Sequence, residues 1–137
     1  MDNLDKIEID GQIDTIFYQP AGVYDITSIK KYIENVRKQD RNVLAFNRFI
    51  DLSNLESSEI SQQDFEYIAS IVKKFRADQP KVKACYYCTD PVIQKITFVF
   101  IETIDLMGPN NQVTSSLYEA ARFLNIDIQR IKRFRES

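Results

Sequence analysis

Four polar side chains stand where two apolar runs end: Asp51 and Ser53 close the run at 46–52, and Thr89 and Asp90 follow the run at 82–88. Open α/β sheets hold ligands beyond the carboxyl ends of their parallel strands. If the two runs are neighbouring strands, these four residues share one candidate ligand edge. Two carboxyls held close together could pass protons to and from a substrate, or share a divalent cation with a phosphate. They would also repel an anion drawn to the adjoining helix N-termini. Each carboxylate has a plainer use: Asp90 precedes Pro91 as an N-cap precedes proline at the first helical position, and Asp51 can cap a turn or pair with Arg48. No residue is assigned as catalytic.

Cys85 and Cys88 form a C-x-x-C pair. Redox pairs of this kind sit at a helix N-terminus, where the thiolate is stabilised. Here the pair lies inside Ala-Cys-Tyr-Tyr-Cys-Thr, a strand-like string, and an offset of three residues sends the two thiols to opposite faces. They read as buried, inert cysteines. The chain has no His, so no Ser-His-Asp triad, Cys-His pair or His-ligated metal can be built from it. Its three glycines form neither GxGxxG nor a phosphate loop. No cofactor and no metal site is expected.

The elements that would position these residues follow from periodicity. In 6–19, Ile7 and Ile9 alternate with charges before a break at Gly11 and a second β-type run. Asp25 caps a predicted helix over 26–38 whose Ile26, Ile29, Ile33 and Val36 share one face. A strand at 46–52, a polar loop through Asn54–Leu55–Glu56–Ser57–Ser58–Glu59–Ile60, and a helix at 62–77 come next, the helix opened by Ser61 with Asp64 in capping-box spacing. A strand at 82–88 leads to a helix at 91–107 stopped by Gly108 and Pro109. The closing unit is a strand at 112–115, a helix begun by Ser116 with Glu119, and a basic C-terminal extension at 126–137. The order is β-β-α-β-α-β-α-β-α. Its 137 residues make one domain, spanning 1–137, in the α/β class.

This order and several local strings resemble the SpoIIAA-like fold of STAS domains, closest to small stand-alone bacterial members of undefined function. The residues that carry the resemblance are Phe49-Ile50-Asp51-Leu52-Ser53, similar to the family's hydrophobic-Asp-Leu-Ser strand end. The Ser61-capped helix, the strand Ala84 to Cys88, the long helix after it, and the closing Val113 to Leu124 unit follow in the same sequence. The resemblance covers roughly 6–125. It implies a central mixed, mostly parallel β-sheet with helices mainly on one face, the other face needing cover from the N-terminal hairpin, the tail or another chain. Anti-sigma-factor antagonists of this kind carry Asp-Ser-Ser/Thr-Gly, with the serine phosphorylated by a partner kinase. This chain instead reads Glu56-Ser57-Ser58-Glu59-Ile60-Ser61-Gln62-Gln63. Ser61 stands nearest the equivalent place, with Ser57 and Ser58 as rival phosphoacceptors.

Surface residues complete the reading. On the helix at 91–107, Phe98 projects between Glu102 and Asp105 while Val99 and Leu106 flank Lys95. An outward Phe with aliphatic neighbours calls for cover by another segment or by a protein partner, a homodimer included. The tail's Ile128, Ile131 and Phe134 recur at helical spacing among Arg130, Lys132, Arg133 and Arg135. That stripe can pack on the body and complement the acidic N-terminus. Membrane contact is the lesser expectation for it, and the net charge of −2 argues against nucleic acid as a partner. With an acidic, non-apolar N-terminus and no apolar run of about 18 residues, a cytoplasmic protein is expected. The function so implied is a non-enzymatic regulatory or interaction module. A carrier for a small apolar or anionic ligand is the alternative.

Overall fold

A computed structural model describes residues 5–78, 81–103 and 110–137, with backbone alone at Arg41, Ser57, Ser58, Phe65, Phe75, Arg76 and Thr103. Its elements run β1 (Lys6–Asp10), β2 (Thr15–Gln19), β3 (Gly22–Asp25), α1 (Ile26–Arg37), α2 (Arg41–Leu44) and β4 (Asn47–Asp51). They continue through β5 (Leu55–Glu59), α3 (Gln62–Asp78), β6 (Ala84–Tyr87), α4 (Pro91–Thr103), β7 (Asn111–Thr114), α5 (Leu117–Leu124) and α6 (Ile128–Glu136).

Five strands form the main sheet in the order β1-β2-β4-β6-β7. β1 and β2 are an antiparallel hairpin with Ile7 opposite Tyr18, and every later pairing is parallel. This is the mixed, mostly parallel α/β sheet expected. From β2 onward the chain steps across the sheet in one direction. Right-handed crossovers then place the linking helices on the same face. Ile29 of α1, Ile68 of α3 and Ile93 of α4 accordingly line a cavity there with Tyr18, Ile50 and Tyr86. α2 closes one end of this layer, where Val43 and Leu44 pack with Ile16, Val36 and Phe46.

The opposite face is covered by α5 and α6. Ala120, Ala121, Leu124, Ile131 and Phe134 bury Phe17, Phe49, Cys85 and Tyr87. Both faces therefore carry helices, with the crossover helices on one and the C-terminal pair on the other. The tail supplies the cover that the sequence left open between hairpin, tail and partner. Asn125 ends α5 in the left-handed region at φ 56, and the Asp127 side chain accepts from the Gln129 N–H to open α6. That sharp turn swings Ile131 and Phe134 onto the sheet.

The segment read as a polar loop before Ser61 is in fact β5. It pairs in parallel with β3 as a separate two-stranded sheet, Tyr24 opposite Ser58 and Asp25 opposite Glu59. Neither strand is longer than five residues, and both are too polar to show an apolar alternation. Their pairing is a tertiary event that local pattern cannot reveal. α2 was likewise unforeseen, although Asp40 caps it by accepting from the Val43 N–H.

Candidate functional site

Strand pleating decides what each face offers. β2 and β4 align Phe17 with Phe49 and Tyr18 with Ile50, and β6 adds Tyr87 beside Asp51. Asp51 thus ends β4 on the face covered by α6, where it is fully buried. Its carboxylate accepts from Gln19 Nε2 at 2.8 Å, Arg135 Nε at 2.8 Å and the Ser53 N–H at 3.0 Å. Arg135 Nη2 also reaches Ser53 Oγ at 3.3 Å, and its guanidinium lies 5.0 Å from the Tyr87 ring centre. Asn54 donates to Gln19 Oε1, which fixes the amide that faces Asp51. The buried charge is held by a cation and two further donors, as such charges must be.

The structure brings Asp51 and Ser53 together and leaves Thr89 and Asp90 exposed at the surface. Asp90 caps α4, its Oδ1 accepting from the Val92 and Ile93 N–H groups at 2.8 and 3.3 Å. Asp51 does cap a turn, through Ser53. Its ion-pair partner is Arg135, whereas Arg48 turns to the other face and donates to the carbonyls of Phe46 and Leu44. The expected Arg48 pairing fails on parity: residues 48 and 51 of one strand point to opposite faces.

α6 is anchored at both ends by charge. Arg130 donates to Asp10 at 2.9 Å and Glu8 at 3.0 Å, and Lys6 Nζ donates to the carbonyls of Phe134 and Ser137 at 2.9 and 3.0 Å. A cation at the last carbonyls of a helix is where its dipole favours one. The Arg130 hydrogen bond holds the Asp10 carboxyl below its ordinary value. Arg135 and Gln19 are the partners that sequence reading missed. The one signal for Arg135 was its place on the basic side of an amphipathic tail.

The other face holds tyrosines. Tyr18 and Tyr32 stack with ring centres 4.1 Å apart, and Tyr18 donates to Asp5. Burial pushes the phenols of Tyr18, Tyr24 and Tyr32 upward, the last with the Arg48 charge opposing. Beside them lie two cavities of about 370 and 140 Å³ between the sheet and α1, α3 and α4. The cysteines sit on opposite faces, Cys85 among the α5 and α6 contacts and Cys88 beside Ile93. Burial pushes the Cys85 thiol up to about 12 and raises that of Cys88. Neither is a ready nucleophile.

With this geometry in view, one solved structure is informative. A protein from Shewanella loihica PV-4, described as an uncharacterised member of the DUF3478 family with a SpoIIAA-like fold, superposes with a TM-score of 0.54. The match is 15% identical and covers 90% of this chain and 98% of that one. This chain has a SpoIIAA-like fold. No family model matches the sequence, and no curated protein does. Among the described residues no group of three or more His, Cys, Asp or Glu could hold a metal ion, and no helix is long and apolar enough to cross a membrane.

The remaining candidates of this SpoIIAA-like chain are at its surface. Ser61 Oγ accepts from the Asp64 N–H and Asp64 returns the contact to the Ser61 N–H, each at 3.1 Å, completing the capping box. The side chains of Ser57 and Ser58 lie outside the described residues, as does all of Leu106. Phe98 and Val99 are 41% and 47% exposed on α4, six and seven residues beyond the still more exposed Val92.

Proposed function

We propose that this chain is a non-enzymatic regulatory module that acts through contact with a protein partner, a second copy of itself being the first to test. The reading rests on one observation above all. Asp51, the best-placed reactive group at the carboxyl edge of the sheet, is spent on Arg135, Gln19 and the Ser53 N–H. The tail that could have covered Phe98 docks on the other face, so α4 keeps Phe98, Val99 and Val92 outward. Leu106 would extend that interface.

Ser61 is the phosphoacceptor in a regulated form of this reading, with Ser57 and Ser58 beside it in sequence. A phosphate on Ser61 would add about −1.5 to −2 charge next to Asp64 and end the capping box. Sedimentation of the wild type and of Phe98→Glu tests the interface. The wild type should associate with rising concentration and the folded variant should stay monomeric; identical behaviour of the two removes the α4 surface.

A second reading, a carrier for a small ligand at a site other than the Asp51 edge, is favoured by the cavities beside Tyr32.

A further inference from the structure

The hydroxyl of Tyr32 is buried, with the Arg48 guanidinium interacting with it but no described residue within normal hydrogen-bond geometry. Buried polar atoms are nearly always paired, so an orphan in a cavity wall asks what would pair with it. Tyr32 lines both cavities on the crossover face, and also a more polar one of about 660 Å³ between α1 and the β1–β2 hairpin. Arg48, only 7% exposed, lines the larger one and is held there by the carbonyls of Leu44 and Phe46. Its charge and the hydrogen-bonding interaction of its side chain oppose the upward push of burial on the Tyr32 phenol.

Charge and shape around these two groups are lopsided. Among the described residues, Arg37 and Lys74 line the larger cavity with Arg48, against Asp78 as the one carboxylate. The smaller cavity shares Tyr32, Ile33, Ile50, Val72 and Tyr86 with it, then continues among Ile68, Ile93 and Phe100, with no ionisable side chain other than tyrosine among the described residues. A cation-rich chamber thus adjoins an apolar one across a common wall. The larger volume, about 370 Å³, lies in the range of small-molecule sites.

We propose that this face binds an amphipathic monocarboxylate, its head between Tyr32 and Arg48 and its alkyl tail in the apolar chamber. The proposal rests on the carrier reading and gives it a ligand class. A carboxylate is drawn by the Arg48 charge and accepts from a phenol. Its single charge is less costly to bury than a phosphate dianion. Arg37 and Lys74 at the larger chamber would draw it in.

Octanoate and 1-octanol are the probes, titrated calorimetrically against the whole chain. Tyrosine emission gives a second readout, because the chain has seven Tyr and no Trp. Octanoate should bind saturably at one site and 1-octanol about tenfold or more weakly, since only the former meets the cation. Tyr32→Phe, which removes the hydroxyl and keeps the ring, should keep its circular dichroism and bind octanoate about three- to tenfold more weakly. Its affinity for 1-octanol should fall by less. Ile33→Phe, which fills the wall common to both chambers, should abolish binding of either probe. Equal affinity for the two probes overturns the carboxylate class while leaving a carrier in place. No saturable binding of either overturns both. An unchanged octanoate affinity in Tyr32→Phe overturns the placement of the head.

Discussion

On the face covered by α5 and α6, Phe134 meets Phe17 and Phe49 at ring distances of 5.3 and 6.5 Å, and Ile131 and Phe134 are fully buried. On the crossover face, Tyr18 and Tyr32 stack closely, yet cavities of about 370 and 140 Å³ remain beside them. The two faces belong to the same five strands, so the sheet does not cause the difference. The covering helices do. α5 and α6 close on the sheet after the last strand and are pinned by Lys6, Arg130 and Arg135. α3 and α4 are tied to a strand at each end, and α1 runs from β3 through α2 to β4, so connection geometry constrains them as well as fit. One face is built for stability, the other has room for a ligand.

Two substitutions would break that contrast. Phe134→Ala should cost about 3–5 kcal/mol in urea denaturation, as truncating a fully buried aromatic does. Ile33→Ala, at a half-buried position that already borders both cavities, should cost less than half as much. Equal losses would mean that the faces are packed alike. Arg135→Ala comes next. It leaves the Asp51 charge buried with Gln19 and the Ser53 N–H as its remaining donors. Removing one partner of a buried pair commonly costs about 3–5 kcal/mol, but Arg135 is itself 31% exposed, and solvent screening brings the expectation to about 1–3 kcal/mol. Adding Asp51→Asn to that variant should recover part of the loss. A double variant no better than the single one would show that the Asp51 charge is not what Arg135 serves.

How much of this was legible differs by element for the same physical reason. Helices 26–38 and 62–77 announced themselves through a 3.6-residue stripe and a capping residue, and α1 and α3 lie there. The capping box of Ser61 with Asp64 and the Asp90 cap could be read because capping is local. β3 and β5 stayed hidden because their pairing partners are some thirty residues apart, Asp25 with Glu59 for instance. Asp51 lies at the end of its strand as expected, but its partner could not be read: Arg135 is 84 residues away, and nothing local links the two. The cavity beside Tyr32 was beyond reach for a related reason. Periodicity reports which side of a helix is apolar, and not whether the layer beneath it is full.

The smallest effect sharpens the comparison through pH. A hydrogen bond from Arg130 holds the Asp10 carboxyl below its ordinary value of 3.8. A carboxyl whose value is lowered by folding stabilises the fold once both states are ionised, and the contribution disappears as pH falls through the lowered value. The Arg130 contact therefore supports α6 at neutral pH and is lost in acid below 3.8. Arg130→Gln should lie under the wild type in stability at neutral pH and converge with it in acid, while the Asp10 carboxyl resonance titrates nearer its ordinary value. Added salt should narrow the neutral gap, because the Asp10 carboxyl is partly open to water, with 20% of its side chain exposed. Stability curves that stay parallel from neutral pH into acid would mean that Arg130 holds the tail through its packing over Phe17, 4.4 Å from the ring centre, and not through its charge.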